Sequence, residues 1–306
     1  MSKEGASTGE GDRYLIASIQ KGDETAFRQL VDRYSGRLNA YASRKLGRGN
    51  PEAEDAVQDT FVGLLENLHR LTDVRSLEAY LFTILKNKVV DQTRRSPRAH
   101  GQIPVAFGKS DSGRGWDPPA RDETPSQAAL KKEERSVRRK VLADILDEAL
   151  EGFKKEKSFR DLKIVELFFY GGYRGKEIAQ LVGTSEPTVT RTKTEALERL
   201  ARLVRRHPMG DPALGSLEDT DESDGVLSEV WRENLLSCLK RSTLGAYTLN
   251  VGLDSEWRDY IAFHLDVIKC EACLANLDDI RTGEKGSEPL RERVFTSSVG
   301  FLRRKR

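Results

Sequence analysis

This chain of 306 residues has few cysteines, histidines and methionines: three cysteines, four histidines and two methionines. Three cysteines, all between Cys238 and Cys273, are too few for a disulfide framework and are more typical of thiols or a metal site. The histidines are scattered, and the sequence has no glycine-rich phosphate loop or nucleophile elbow. We therefore expect that the protein is not an enzyme.

Long apolar runs are also missing. No segment approaches the roughly 20 apolar residues that cross a bilayer. The N-terminal sequence MSKEGASTGEGDR lacks the apolar core of a signal peptide. These absences predict a cytoplasmic protein with no membrane partner.

Neither sign of charge dominates, because 51 basic residues nearly balance 49 acidic ones. With 33% charged and 37% hydrophobic residues, the chain is too polar for one large core but long enough for two or three small domains. Positive charge is concentrated locally, since residues 160–206 include ten basic and six acidic side chains. The low net charge therefore does not exclude a nucleic-acid partner.

Helical periodicity along most of the chain predicts an all-α protein. We expect two helical bundle domains, the second with a helix-turn-helix, joined by a flexible linker and followed by a small helical C-terminal unit. The linker is rich in Gly, Pro and Ser, which bury too little apolar area to offset the entropy of ordering. The predicted segments are a disordered tail at 1–11, a first bundle at 12–96, a linker at 97–129, a second bundle at 130–207, an acidic spacer at 208–226, the C-terminal unit at 227–282 and a polar tail at 283–306.

The segment KEIAQLVGTSEPTVTRTKTEALERL, starting at Lys176, has the pattern of a helix-turn-helix. Gly183 can end a short first helix, because glycine adopts left-handed backbone angles at little cost. Ser185 can cap the second helix, and Pro187 falls in its first turn. The outer face of that helix carries hydroxyls and cations, which suit contact with phosphates and base edges. DNA binding is the leading hypothesis; the alternative is two amphipathic helices with a solvated polar face.

Two helices of the first bundle differ in surface charge. Residues 54–68 place an apolar stripe inward and carboxylates outward, whereas the helix that follows becomes basic between Lys86 and Arg95. The acidic helix and the basic helix indicate two binding partners, one basic and one acidic. Because mixed charge is common on surface helices, a merely solvated surface is the alternative.

Three motifs occur in a fixed order: DAVQDTF at 55–61, AYLFTILKNKVVDQTRR at 79–95, and the helix-turn-helix after a Pro-rich linker. Together they resemble a bacterial sigma factor of the extracytoplasmic-function type, in the sigma-70 family. The resemblance covers about residues 13–206, and the order of the motifs is more specific than any one of them. It implies a factor that directs core RNA polymerase to promoters, reads the −35 element and melts the −10 element.

The resemblance also implies roles for individual residues. The DAVQDTF helix would dock on the clamp helices of the polymerase β′ subunit, the next helix would engage −10 DNA, and the loop 71–76 would lie near the displaced strand. The helix after Ser185 would read the −35 element. The implied residues are Asp55, Gln58, Asp59 and Phe61 for the polymerase, Tyr80, Lys86, Asn87, Asp91, Arg94 and Arg95 for −10 DNA, and Ser185, Glu186, Thr188, Thr190, Arg191, Lys193 and Thr194 for −35 DNA.

Two positions depart from the family pattern. Tyr80 stands where the family mostly has Trp, and it retains an aromatic ring. Pro187 stands where Gly is common, and proline is tolerated in a first helical turn. Neither change removes the resemblance, although Pro187 bears on the docking angle of its helix.

The C-terminal unit contains Cys238, His264, Cys270 and Cys273. Three thiolates and one imidazole form a donor set that tetrahedral zinc accepts. Their order resembles that of zinc-binding anti-sigma domains, with five residues instead of the usual three between His264 and Cys270. The interpretation is one structural zinc ion, with no other cofactor required. The alternative is a small helical core in which Cys238 is an ordinary buried side chain.

Other functions remain open at this point. The C-terminal unit could fold back and regulate the DNA-binding bundles in cis, or a separate anti-sigma factor could do so. One rival function is a helix-turn-helix regulator that does not dock on polymerase. Another is a zinc or thiol sensor whose helices bind a protein partner.

Overall fold

The computed structural model describes residues 4–71, 76–95, 125–209, 220–283 and 288–303. These residues form thirteen α-helices and no β-strand, so the predicted all-α class is confirmed. In chain order the helices are α1 (Glu4–Gln20), α2 (Glu24–Leu46), α3 (Pro51–Glu66), α4 (Leu77–Arg95), α5 (Pro125–Lys155), α6 (Phe159–Val165), α7 (Gly175–Val182), α8 (Glu186–Arg206), α9 (Thr220–Asn234), α10 (Arg241–Thr248), α11 (Ser255–Asp266), α12 (Glu271–Thr282) and α13 (Glu288–Arg303).

The chain divides into two compact units. The first consists of Met1–Ala106, Leu239–Gly252 and Lys269–Arg306, and the second of Phe107–Cys238 and Leu253–Ile268. The C-terminal region therefore does not form the separate third unit that was expected. Its helices α10, α12 and α13 belong to the first unit, whereas α9 and α11 belong to the second.

Helices α2, α3 and α4 form the core of the first unit. The side chain of Asp23 accepts hydrogen bonds from first-turn amides of α2, and Asn50 does the same for α3. On α2, Phe27 meets the ring of Phe61 from α3, with ring centroids 6.3 Å apart in an edge-on arrangement. These contacts bury the apolar stripes of the bundle and leave polar sides of α3 and α4 at the surface.

The N-terminal segment is more ordered than predicted. Helix α1 begins at Glu4, within the segment 1–11 that we expected to be disordered. It is held by Asp12, whose carboxylate accepts hydrogen bonds from Tyr34 Oη at 2.7 Å and from Arg33 Nη1 at 2.6 Å. Burial, followed by the Asp12 charge, raises the pKa of Tyr34 far above its ordinary value, so this phenol remains a donor.

The C-terminal end also differs from the sequence prediction. Instead of a polar tail at 283–306, the structure has helix α13, which packs on α2 and α3. Phe295 lies 5.9 Å from Phe27 by ring centroids, and the guanidinium of Arg28 lies 3.9 Å above its ring. The buried apolar residues of α13, which the sequence analysis overlooked, are Leu290, Val294, Val299 and Leu302.

The second unit contains the predicted helix-turn-helix. Gly183 has φ +70°, and its N–H donates a hydrogen bond to the carbonyl oxygen of Ala179 at the end of α7. Ser185 Oγ accepts the N–H of Thr188 at the start of α8, and Pro187 lies in the first turn. Residues 97–124 of the predicted linker lie outside the described residues, as do residues 210–219 of the predicted spacer. Helix α5 begins at Pro125, inside the predicted linker, and α9 begins at Thr220, inside the predicted spacer.

Two C-terminal helices pack against the helices around the helix-turn-helix. On α9, the buried Trp231 stacks on Phe169, which lies in a π-helical turn (Glu166–Tyr170) between α6 and α7. On α11, Tyr260 stacks on Phe159 of α6 with ring centroids 5.4 Å apart, and Trp257 meets the same ring edge-on at 4.9 Å. Helices α9 and α11 therefore contribute to the aromatic core of this unit.

Candidate nucleic-acid interface and metal centre

Helix α3 presents an acidic stripe, which we define as Asp55, Gln58 and Asp59. Asp55 and Asp59 are exposed, one helical turn apart, and Gln58 is half-buried. Among the described residues, Asp59 forms an ion pair with Lys88 of α4, whose Nζ lies 3.9 Å from Asp59 Oδ2. Such a weak, exposed pair leaves the stripe able to bind a basic partner surface.

Phe61, the fourth residue assigned to polymerase contact, lies in a different environment. Its side chain is fully buried, with 0% exposure, and packs against Phe27. In this conformation it holds α3 in place and presents no surface to a partner. The approximate helical period had indicated its burial, whereas the family motif had indicated contact.

The predicted −10 residues lie along α4. Asn87, Asp91 and Arg94 are exposed at spacings of four and three, so they share one face, which we call the polar stripe. Tyr80 is half-buried about two helical turns before Asn87, and Lys86 is half-buried to one side of the stripe. The backbone of Arg95 completes the helix, and its side chain lies outside the described part. The loop residues 72–75 lie outside it as well.

The predicted −35 residues surround the first turns of α8. Ser185, Glu186, Thr190, Arg191 and Thr194 are exposed, whereas Thr188 and Lys193 are half-buried. The hydroxyls of Thr190 and Thr194 donate to carbonyls one turn earlier, which leaves their oxygens able to accept further bonds. Lys193 Nζ lies 3.7 Å from the ring centroid of Phe168, so its stem is held against the unit.

A basic groove of about 820 Å³ lies between α5 and the C-terminal half of α8. In it Arg199 forms two hydrogen bonds to Glu156, at 2.9 and 3.1 Å, and the bond to Arg199 lowers the pKa of that carboxyl. The groove carries more cations than carboxylates, so it extends the positive surface of α8. Its charged lining residues are Glu148, Lys155, Glu156, Arg199, Arg202, Arg205 and Arg206.

The four candidate metal ligands are brought together. Sulfur atoms of Cys238, Cys270 and Cys273 and a ring nitrogen of His264 all lie within 4.8 Å of one another. Cys238 is half-buried and the other three are buried. Three thiols and one imidazole at this separation can hold a zinc ion.

The surroundings of these ligands fit such a role. The backbone N–H of Leu239 donates to Cys273 Sγ at 3.2 Å, a contact that favours thiolate character. His264 Nδ1 lies 2.8 Å from Glu166 Oε1, with both side chains at 0% exposure. The sequence analysis missed Glu166. A single carboxylate inside the apolar run IVELFFY indicates a buried charge that needs specific partners.

Helix α12 contacts the first bundle through polar groups. Glu271 accepts a hydrogen bond from Tyr41 Oη at 3.2 Å and forms an ion pair with Lys45. Asn276 donates to Glu78 Oε1 at 2.9 Å, and Glu78 lies in the first turn of α4. Helix α12 therefore reaches both α2 and the start of the helix that carries the polar stripe.

Comparison with known proteins gives a family for the first bundle. Residues 30–99 match the model of sigma-70 region 2, a segment that includes α3 and α4. The chain is 39% identical over 85 residues to the RNA polymerase sigma factor CnrH of Cupriavidus metallidurans, covering 28% of this chain and 44% of the relative. It is 31% identical over 80 residues to the ECF RNA polymerase sigma factor SigW of Bacillus subtilis, covering 26% and 42%.

A third relative is the ECF RNA polymerase sigma-E factor of Escherichia coli, at 32% identity over 90 residues, 28% of this chain and 46% of the relative. The chain thus spans less than half the length of each of these relatives. No solved structure matches it. Among the described helices, none is both long and apolar enough to cross a membrane.

Proposed function

We propose that the chain is a sigma factor of the extracytoplasmic-function type, in the sigma-70 family, which directs core RNA polymerase to promoters and opens the DNA there. The observation that carries this proposal is the region 2 match over residues 30–99, which covers both the acidic stripe and the polar stripe. A DNA-binding regulator that ignores polymerase would have no use for that pair of surfaces. The sensor alternative leaves the helix-turn-helix without a role.

Polymerase docking is assigned to the acidic stripe of α3. Its two exposed carboxylates can meet a basic surface, for which the family resemblance supplies the clamp helices of the β′ subunit. Phe61 supports this contact from the core by fixing the position of α3. Charge complementarity of this kind sets the orientation of a complex and increases its association rate.

Opening of the −10 element is assigned to α4, through Tyr80, Lys86 and the polar stripe, with Arg94 and Arg95 at its C-terminal end. Separating stacked base pairs costs about 1 to 2 kcal/mol per step. A protein can offset this cost by holding unpaired bases on aromatic and polar side chains, each stacked base contributing about 1 to 3 kcal/mol. Tyr80 is the aromatic side chain on the same side of α4 as the polar stripe.

Reading of the −35 element is assigned to α8. Its N-terminal residues carry hydroxyls and cations where a recognition helix meets base edges and phosphates. Two weak DNA-binding surfaces on one polypeptide act at a raised effective concentration, so neither needs high affinity alone. Contacts from Arg191 and the basic groove would weaken as salt concentration rises.

The test of polymerase docking is association with purified core enzyme. Fluorescently labelled full-length protein should bind core polymerase saturably, and unlabelled protein should displace it. The proposal fails if binding is absent at micromolar concentrations at moderate salt. Retained DNA binding in that case would favour the polymerase-independent regulator.

We also propose that the cysteine and histidine group holds one structural zinc ion. Purified, reduced protein is then expected to contain about one zinc per chain by elemental mass spectrometry, because folding and metal binding are linked at such sites. Cys270→Ser should lower both the zinc content and the thermal stability. Protein without zinc, in which Cys270→Ser leaves stability unchanged, would instead support an ordinary buried core.

Regulation in cis is assigned to the C-terminal helices. In the first unit, α13 lies against α3, where Arg293 forms an ion pair with Glu54, the residue before the acidic stripe. Helix α12 contacts α2 and the start of α4. A partner that docks on α3 must therefore accommodate α13, and we propose that these helices lower activity until they are displaced.

Gly36→Ala tests this regulation. A Cβ at Gly36 would overlap the carboxylate of Asp279 on α12, which pairs with Arg241 at 2.6 Å. The carboxylate must therefore shift and weaken its pair with Arg241, a cost that is partly offset by the roughly 1 kcal/mol helix preference of alanine over glycine. We expect α12 to loosen from α2 and transcription with core polymerase to rise by roughly fivefold, the equivalent of about 1 kcal/mol.

The matched control is Gly11→Ala, since a Cβ there makes only ordinary contact with Arg33, at 3.6 Å. Hydrogen exchange of α12 should increase in Gly36→Ala and remain unchanged in the control. If exchange increases but transcription does not, the C-terminal helices do not inhibit.

A further inference from the structure

Glu166 is a carboxylate in the interior of the second unit. Its side chain has 0% exposure, and it begins the π-helical turn that links α6 to the helix-turn-helix. Burying such a group is unfavourable unless its oxygens accept hydrogen bonds. Its position within the apolar run therefore requires specific partners.

Both oxygens of Glu166 have partners on α11. Oε1 lies 2.8 Å from His264 Nδ1, and Oε2 accepts a hydrogen bond from Tyr260 Oη at 3.1 Å. Tyr260 and His264 are four residues apart, so they lie on one face of α11. This face is also the one that stacks on α6, since Tyr260 packs against Phe159.

The contact with His264 has a chemical consequence. A histidine that binds a metal through one ring nitrogen commonly donates the N–H of the other to a carboxylate, which fixes the tautomer and the ring orientation. With Nδ1–H directed at Glu166, coordination falls to Nε2. We propose that Glu166 is the positioning carboxylate for His264, so that metal binding at the cysteine and histidine group is coupled to the packing of α11 on α6.

This inference rests on the proposed zinc site and adds a direction of regulation to it. Glu166 also belongs to the π-helical turn that ends a few residues before α7 begins. A change in metal occupancy can therefore alter the packing next to the helix-turn-helix. Because such coupling is reciprocal, a metal ion that orders His264 also strengthens the docking of α11. Conversely, metal removal should loosen α11 from α6 within the second unit.

The test measures the zinc affinity of the full-length protein by competition with a chromophoric chelator. Glu166→Gln retains the shape and one acceptor oxygen but removes the charge, and we expect its affinity to be about 10- to 100-fold weaker, as is found for changes around metal ligands. Tyr260→Phe is the matched control, since it removes the other hydrogen bond to Glu166 and leaves the His264 contact. We expect it to weaken binding by less than about threefold.

Two further measurements on the wild-type protein do not depend on how the variants fold. Nitrogen NMR of ¹⁵N-histidine-labelled, zinc-loaded protein should show His264 protonated at Nδ1 and coordinated through Nε2. Hydrogen exchange over residues 159–170 should increase when zinc is removed with a chelator.

The outcomes separate the two proposals. A wild-type protein that binds no zinc overturns the zinc site itself. Wild-type zinc binding with unchanged affinity in Glu166→Gln, or with coordination through Nδ1, overturns the role of Glu166 and leaves the zinc site standing.

Discussion

Asp55→Lys combined with Asp59→Lys is expected to abolish high-affinity binding to core RNA polymerase. Both carboxylates are exposed on one face of α3, and their only described ion pair is the weak one between Asp59 and Lys88. Reversing two charges in a complementary interface places like charges together, which costs several kcal/mol. We expect the dissociation constant to rise by at least about 100-fold, equivalent to about 2.7 kcal/mol.

The matched control is Glu10→Lys combined with Asp32→Lys. These exposed carboxylates lie on α1 and α2, so the variant has the same net charge as the first while the acidic stripe stays intact. Its affinity for polymerase should remain within about threefold of wild type at moderate salt, where distant surface charges are largely screened. Equal losses in both variants would mean that net charge, not the acidic stripe, governs binding.

Asn87→Ala combined with Arg94→Ala should have the second-largest effect, on DNA opening. Both side chains belong to the exposed polar stripe of α4, and alanine there is favourable for the helix. If each contact with the −10 strand contributes about 1 kcal/mol, losing both lowers open-complex formation roughly thirtyfold. Binding to core polymerase should not change, because the acidic stripe lies on α3.

Permanganate reactivity of −10 thymines measures this opening directly. The template would carry a promoter selected from a randomised duplex library by the protein and core polymerase together. Arg13→Ala combined with Lys21→Ala is the control, since it removes two exposed cations from the first part of the bundle. Unchanged thymine reactivity in Asn87→Ala, Arg94→Ala would show that α4 does not open the −10 element.

Sequence reasoning was most successful where local chemistry determines structure. The helix-turn-helix was predicted from Gly183, Ser185 and Pro187, and each is found in its expected conformation. These residues act through backbone angles and caps, which depend on a few neighbours. Burial of apolar side chains was less predictable even here, since Leu181 of α7 is 46% exposed.

Tertiary contacts were less predictable. Helix α13 was not predicted, and its Phe295 packs against Phe27 and Arg28 of α2, which are distant in sequence. Helix α1 similarly depends on Asp12 meeting Tyr34. Such helices are stabilised mainly by packing against distant parts of the chain, which periodicity alone does not reveal.

At the metal centre, too, residue types could be predicted and contacts between distant residues could not. The donor set Cys238, His264, Cys270 and Cys273 could be named from residue types and spacing, and the structure brings the four together. Glu166 could not be assigned to it, because 98 residues separate this carboxylate from His264 along the chain. The division of the C-terminal helices between the two units could not be predicted either. Whether these helices form their own core depends on the surfaces of the two bundles.

The most direct measurement of the central claim is run-off transcription with purified core RNA polymerase on a promoter recovered by library selection. We expect a discrete transcript only when the protein is added, with none from core enzyme alone and none with Asp55→Lys, Asp59→Lys. A transcript of equal yield without the protein, or none with it while it binds the same DNA, would contradict its assignment as a sigma factor.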